Sequence, residues 1–253
     1  MKKERIHYTS NWIVNPTQPL TIFLIGAGGT GSNMLSALAI INKSLIALGH
    51  PGIFVTVFDD DKVEEPNIAR QLFYASDLGL FKAQVLVERI NRAFGYAWRY
   101  ETERYTSNNK TANITISCVD SVESRKAIAE AVHNNSRGTD HERQYYWMDC
   151  GNDITSGQIY LGTTLDITQP KSKMKVIKFL KSPIEYFKGL KDSKDDGPSC
   201  SLAGALSKQD LFINRTIANY AGHMLWTLIK DARINYQGIY INLQSLQTNP
   251  IPL

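Results

Sequence analysis

Short unbroken apolar runs alternate along this chain with longer stretches in which apolar residues recur at helical spacing. Thr21 to Ile25 and Ile53 to Phe58 are continuous β-rich runs, too apolar to keep one face in water. They predict strands buried on both sides within a parallel sheet. Ile114 to Asp120 and Tyr145 to Cys150 repeat the pattern. Between the first two runs, Met34, Leu35, Leu38, Ile41, Leu45 and Leu48 mark a helix over Asn33 to Leu48, ended by Gly49-His50-Pro51-Gly52. Further helices are predicted from Lys82 through Phe94, over Ser124 to His133, and from Asp210 to Ala232, with Asp210 as a cap. Gly157 to Leu161 and Met174 to Leu180 read as strands that extend the sheet antiparallel. Gly238 to Leu243 reads as a last strand before a proline-containing tail. Residues 1–19, broken by Pro16 and Pro19, are expected to form an extended surface arm ahead of a single domain over 20–253.

Composition narrows the class. The chain has 253 residues, 43% of them hydrophobic and 21% charged, which argues against disorder and allows a full α/β core. No apolar run approaches the ~20 residues of a membrane span, and Met1 to Arg5 leads into polar residues and Trp12 with no apolar signal core. A cytoplasmic protein is expected, with neither membrane nor nucleic acid as partner. Cys118, Cys150 and Cys200 form no CxxC pair and the five histidines are scattered, so no zinc is expected. Net charge is only +4, but from Lys171 to Asp196 eight lysines stand against four acids. That segment reads as a solvated strand face and loop, with a dock for an acidic partner as the alternative.

Gly26-Ala27-Gly28-Gly29-Thr30-Gly31 lies between the first predicted strand and the first helix. That is what phosphate binding needs, since glycines allow a tight turn and close approach of backbone N–H groups, and the helix points its positive end at the anion. A chance glycine-rich turn would lack both neighbours. The fold that follows is α/β, a Rossmann-like doubly wound sheet, mostly parallel with an antiparallel extension. Asp59 ends the second strand, where a carboxylate can accept the hydroxyl protons of a nucleotide ribose. Beyond it stand Asn67, Arg70, Gln71 and Lys82. A nicotinamide-dependent dehydrogenase has no need of such donors there, whereas a triphosphate site does. As a surface pair with Glu64, Glu65 or Asp77, Arg70 or Lys82 would contribute little.

In this order the motifs resemble those of the ThiF/MoeB/HesA family, bacterial relatives of ubiquitin-activating enzymes. The pattern is a glycine motif (Gly26, Gly28, Gly29, Gly31), D-x-D (Asp59, Asp61), N-x-x-R-Q (Asn67, Arg70, Gln71), then a lysine opening a helix (Lys82). The likeness covers about residues 20–230 and is nearest to the ThiF-like proteins of the plasmid-borne PRTRC system. It implies a ThiF-like adenylation domain, with a crossover loop at about 189–200. It also implies ATP-dependent adenylation of the carboxyl-terminal glycine of a small ubiquitin-like or sulfur-carrier protein. Arg70 and Lys82 would then neutralise the phosphates, Asn67 would donate hydrogen bonds, and Asp120, in a turn with the family's D-x-x-x-x-R spacing to Arg125, would hold Mg2+. The alternative for Asp120 is an ordinary helix N-cap. Cys200 stands where several relatives carry a cysteine that takes the activated acyl group, with Lys194 and Lys208 nearby; the alternative is a half-buried residue without a role. A homodimer is implied, with Arg5 as the arginine that would reach across. Two departures, Pro66 and Ala69 in place of polar residues, bear on catalysis. A non-catalytic nucleotide-binding scaffold of the same fold and an NAD(P)-dependent oxidoreductase are the other readings.

Overall fold

The architecture is that of a computed structural model, which describes residues 4–68, 70–134, 139–187 and 209–253. In chain order the strands are β1 (Arg5–Tyr8), β2 (Leu20–Ile25), β3 (Ile53–Phe58), β4 (Arg99–Glu101), β5 (Ile114–Ser117), β6 (Tyr146–Asn152), β7 (Ser156–Thr163), β8 (Lys175–Val176), β9 (Arg233–Ile234), β10 (Tyr236–Asn242) and β11 (Gln247–Pro252). The helices are α1 (Asn11–Val14), α2 (Gly29–Ala47), α3 (Lys82–Phe94), α4 (Val122–Asn134) and α5 (Ile213–Lys230).

Eight strands form the main sheet in the order β11-β10-β7-β6-β5-β2-β3-β4. β2 lies between β3 and β5, parallel to both, with Ile22 opposite Val55 on one side and Ile114 on the other. Burial on both faces is why β2 and β3 are unbroken apolar runs. β4 and β6 extend the parallel half; β7, β10 and β11 then add antiparallel strands beyond β6. Successive crossovers leave β2 in opposite directions, so its carboxyl end is a topological switch point, where ligands bind in open α/β sheets.

Helix α2 packs against β2 and against α5, and α5 covers β6 and β7. On the opposite face α4 sets Ile128, Ala131 and Val132 against Ile25, Phe58 and Trp147. No helix among the described residues is long and apolar enough to cross a membrane.

Three expectations are corrected. Residues 5–14 are not a loose surface arm: β1 lies between β8 and β9 in a second, three-stranded sheet, and Ile6 and Ile13 are buried. His7, fully buried, bonds the Ile177 carbonyl oxygen at 2.7 Å and the Tyr146 hydroxyl at 2.9 Å. So few apolar residues in so short a polar stretch left no periodic signal. The strand expected over Met174 to Leu180 shrinks to β8, which joins this second sheet and does not extend the main one. The proline-containing tail is itself β11, the edge strand, where Pro250 and Pro252 pair with Ile239 and Tyr236. An edge position tolerates prolines because half of its backbone N–H groups have no partner strand.

Candidate functional site

The glycine turn is fixed by contacts that leave no room for side chains at three of its positions. Gly26 has a positive φ of 90° and donates its N–H to the Phe58 carbonyl at 2.9 Å. A Cβ on Gly31 would lie 1.9 Å from the Gly26 carbonyl oxygen, and one on Gly29 would lie 2.5 Å from the Asn214 side chain. At Gly28, by contrast, a Cβ would meet nothing within 4 Å. Gly28 caps α2 with no side-chain hydrogen bond. An open backbone face at an uncapped helix N-terminus is a cradle that suits an anionic oxygen.

Asp59 holds this turn in place. Its Oδ2 accepts the Ala27 N–H at 2.5 Å and its Oδ1 the Asp61 N–H at 3.0 Å. Burial dominates its titration and pushes its pKa up to about 6, against the Ala27 hydrogen bond and the Lys82 charge, which lower it. Asp61, mostly exposed, reaches the buried Lys82: its Oδ2 accepts from Lys82 Nζ at 2.8 Å, and its carbonyl accepts the Lys82 N–H at 2.9 Å. The glycine turn, Asp59, Asp61 and Lys82 thus form one connected chain at the carboxyl ends of β2 and β3.

Asn67 orders the turn before Arg70. It closes a 3-10 turn over Glu65–Asn67, its Oδ1 accepting the Glu64 N–H at 2.9 Å. Pro66 sits at the start of this turn, where a missing N–H costs nothing. Arg70 Nη1 donates to Gln209 Oε1 at 2.7 Å, while Arg70 Nε is buried with no hydrogen-bond partner among the described residues. Desolvation lowers the Arg70 pKa. The Oε1 of the buried Gln71 is likewise unpartnered among the described residues. Buried polar atoms without partners are costly; Trp12 Nε1, Thr115 Oγ1 and Gln144 Oε1 share that state elsewhere among the described residues.

Asp120 lies at the same sheet edge, exposed, in the loop from β5 to α4. The loop is held from beneath by Arg125, whose Nη1 donates to the Asp120 and Ser121 carbonyls at 3.1 and 3.3 Å and whose Nη2 donates to Val119 at 2.6 Å. Arg125 Nε meets both oxygens of Asp149, at 3.2 and 3.1 Å, in a buried pair. Ser117 donates to Asp149 Oδ1 at 2.6 Å, and Trp147 Nε1 donates to Ser117 at 2.8 Å. Burial raises the Asp149 pKa, opposed by Arg125 and Ser117. Asp149 was missed as a support residue, although an acid inside the apolar run Tyr146 to Cys150 requires a buried partner. Gln209 and Asn214 were missed too, and no motif marks them.

Asp210 is the expected cap, its Oδ1 accepting the N–H of Phe212 at 2.8 Å and of Ile213 at 3.1 Å. Arg5, exposed, donates from Nη1 to the Leu253 carbonyl at 2.6 Å within the chain. Among the described residues no group of three His, Cys, Asp or Glu is placed to hold a metal. Asp120 could therefore be only one protein ligand of an Mg2+ shared with phosphates, an arrangement common for that ion. Ala69, Cys200, Lys194, Lys208 and the expected crossover loop at 189–200 lie outside the described residues.

Strand order and site together define a Rossmann-like α/β protein with a glycine turn at its switch point. The ThiF family model matches residues 17–247, so the chain belongs to the ThiF family. Among solved structures, PaaA is 12% identical with a TM-score of 0.60 over 92% of this chain and 64% of its own. MccB from E. coli is 14% identical with a TM-score of 0.58 over 95% of this chain and 63% of its own. At these identities the likeness is one of fold, and this chain spans a little under two thirds of the length of either protein. TcdA, the E. coli tRNA N6-threonylcarbamoyladenosine dehydratase, is 25% identical over 53% of this chain and 52% of its own, at a TM-score of 0.42. A comparison with curated proteins finds no match.

Proposed function

We propose that this protein uses ATP to adenylate a carboxylate, and that the carboxylate is the terminal glycine of a small ubiquitin-like or sulfur-carrier protein. The observation that carries the reading is the buried Arg70 Nε, unpartnered among the described residues, at the same sheet edge as the open face of Gly28 and the buried Lys82. Family membership and the order of the motifs support adenylation over hydride transfer, which would use the glycine turn and Asp59 but leave Arg70 and Lys82 without a role.

In adenylation a carboxylate oxygen attacks the α-phosphorus of ATP, the bond to the β-phosphate bridging oxygen breaks, and pyrophosphate leaves with the electron pair. The products are the acyl adenylate and pyrophosphate. Negative charges crowd together on the way, so the protein must supply cations and oriented dipoles. Arg70 and Lys82 offset charge on the phosphates, and the amides at the start of α2 hold the α-phosphate. The Asp59 carboxylate accepts from the ribose. Asp120 would hold Mg2+, which when bound screens the departing pyrophosphate. The attacking carboxylate is already ionised at neutral pH, so no general base is required.

The test is ATP–pyrophosphate exchange in the presence of Mg2+ and a protein ending in glycine. Exchange that needs both, and disappears in Asp120→Ala, is expected. Undiminished exchange in that variant removes Asp120 from the mechanism; tight NADH binding without ATP binding overturns the reading.

A further inference from the structure

Behind Arg70 stands a second layer of neutral polar side chains from a distant part of the chain. Gln209 Oε1 accepts Arg70 Nη1 at 2.7 Å and Asn214 Nδ2 at 2.9 Å. Asn214, 2% exposed, accepts in turn from Thr30 Oγ1 at 3.0 Å, in the first turn of α2, and Thr30 also reaches Asn152 Oδ1 at 3.2 Å. The same Asn214 amide fills the space beside Gly29. Gln209 is anchored through its neighbour: the Asp210 N–H donates to the Ile154 carbonyl at 2.8 Å, just after β6, and Asp210 starts α5. The Arg70 guanidinium is therefore tied, through two amide side chains, to the helix whose N-terminus faces the glycine turn.

We propose that Gln209, braced by Asn214, is a positioning residue that sets Arg70 so that its Nε is presented to a phosphate oxygen. The proposal builds on the adenylation reading above. The chemistry of the partner matters. A carboxylate at position 209 would hold Arg70 equally well but would neutralise it and compete with phosphate. An amide oxygen accepts the Nη1 proton and leaves the full positive charge for the ligand. Holding a long, rotamer-rich side chain in advance lowers the ordering cost of binding. The unpartnered Nε is the donor this arrangement leaves over, beside an Nη1 that is already held.

Phenylglyoxal labelling of Arg70, read by mass spectrometry, tests the positioning without any nucleotide. ATP and adenosine titrations test its consequence. In Gln209→Ala, Arg70 should label several-fold faster. ATP should bind about tenfold more weakly, the size of one charge-assisted hydrogen bond, with adenosine affinity unchanged. In Gln209→Glu, which keeps an acceptor, Arg70 should label as slowly as in the wild type, yet ATP should still bind more weakly. In an Arg70→Ala background Gln209→Ala should have no further effect on ATP. Unchanged labelling in Gln209→Ala overturns the proposal, as does an ATP defect that persists in the Arg70→Ala background or is matched by adenosine. Wild-type protein that binds no ATP refutes the adenylation reading, and the labelling rates tell that result apart from a failure of the positioning.

Discussion

Asp59 is asked to do two things that oppose each other, and pH separates them. It is desolvated beside the glycine turn with a pKa raised to about 6, yet a ribose needs its ionised form as an acceptor. At about pH 7 roughly nine tenths of the groups are ionised, and at about pH 5 roughly one tenth, so ATP affinity should fall about tenfold, or about 1.4 kcal/mol, across that range. Folding responds in the opposite sense. A carboxylate whose pKa is higher folded than unfolded makes the native state bind more protons, so stability is greatest below the unfolded value of 3.8 and is lost as pH rises to about 6. A shift of about two units corresponds to at most about 3 kcal/mol, less for a group that is only partly enclosed. Asp59→Asn removes this titration, so the ligand-free variant should lack the wild type's fall in stability between about pH 4 and 7 and should bind ATP more weakly, its amide keeping one acceptor oxygen for the two N–H groups of Ala27 and Asp61. Calorimetric titration of ATP into both proteins between about pH 5 and 8 measures this, because titration of the ligand's own phosphates is common to both and cancels. The reasoning is refuted if wild type and Asp59→Asn show the same pH dependence of ATP affinity and of stability.

Three further outcomes follow from the same geometry. Arg125→Met leaves Asp149 buried without its counter-charge, and should cost about 3–5 kcal/mol, lowering Tm by about 10 °C; Arg125→Met with Asp149→Leu should recover much of it, as thermal denaturation would show. Gly31→Ala places a Cβ against the Gly26 carbonyl and should destabilise by about 2–3 kcal/mol, whereas Gly28→Ala, with open space around it, should keep stability within about 1 kcal/mol and lower ATP affinity at least about tenfold. Lys82→Ala removes a pair with the exposed Asp61 and the charge that favours ionised Asp59, so thermal denaturation should show a loss of about 1–2 kcal/mol while ATP binding weakens about tenfold or more.

The parallel half of the sheet was legible because buried strands need unbroken apolar runs: Ile53–Phe58 and the helix Lys82–Phe94 have the bounds their residues imply. The glycine turn lies between β2 and α2, as the runs on either side of it imply, whereas Asp59 meets it across 32 residues through the Ala27 N–H and Lys82 meets Asp61 across 21. What the pattern hid was set by long-range contacts. β1 is held by β8 and β9, more than 150 residues away, and has no amphipathic period of its own. The Arg70–Gln209 bond joins positions 139 residues apart, and the Arg125–Asp149 pair crosses from a helix to a strand. Neutral amides such as Gln209 and Asn214 carry no charge pattern, so only folded geometry shows that Arg70 and Asn214 donate to the same Gln209 oxygen.

The most direct measurement is a side-by-side titration of ATP with Mg2+ and of NADH into wild-type protein and Arg70→Ala. The account predicts that ATP binds the wild type, that Arg70→Ala loses about tenfold or more of that affinity, and that NADH binds neither. NADH binding in the absence of ATP binding, or ATP affinity indifferent to Arg70, would contradict it.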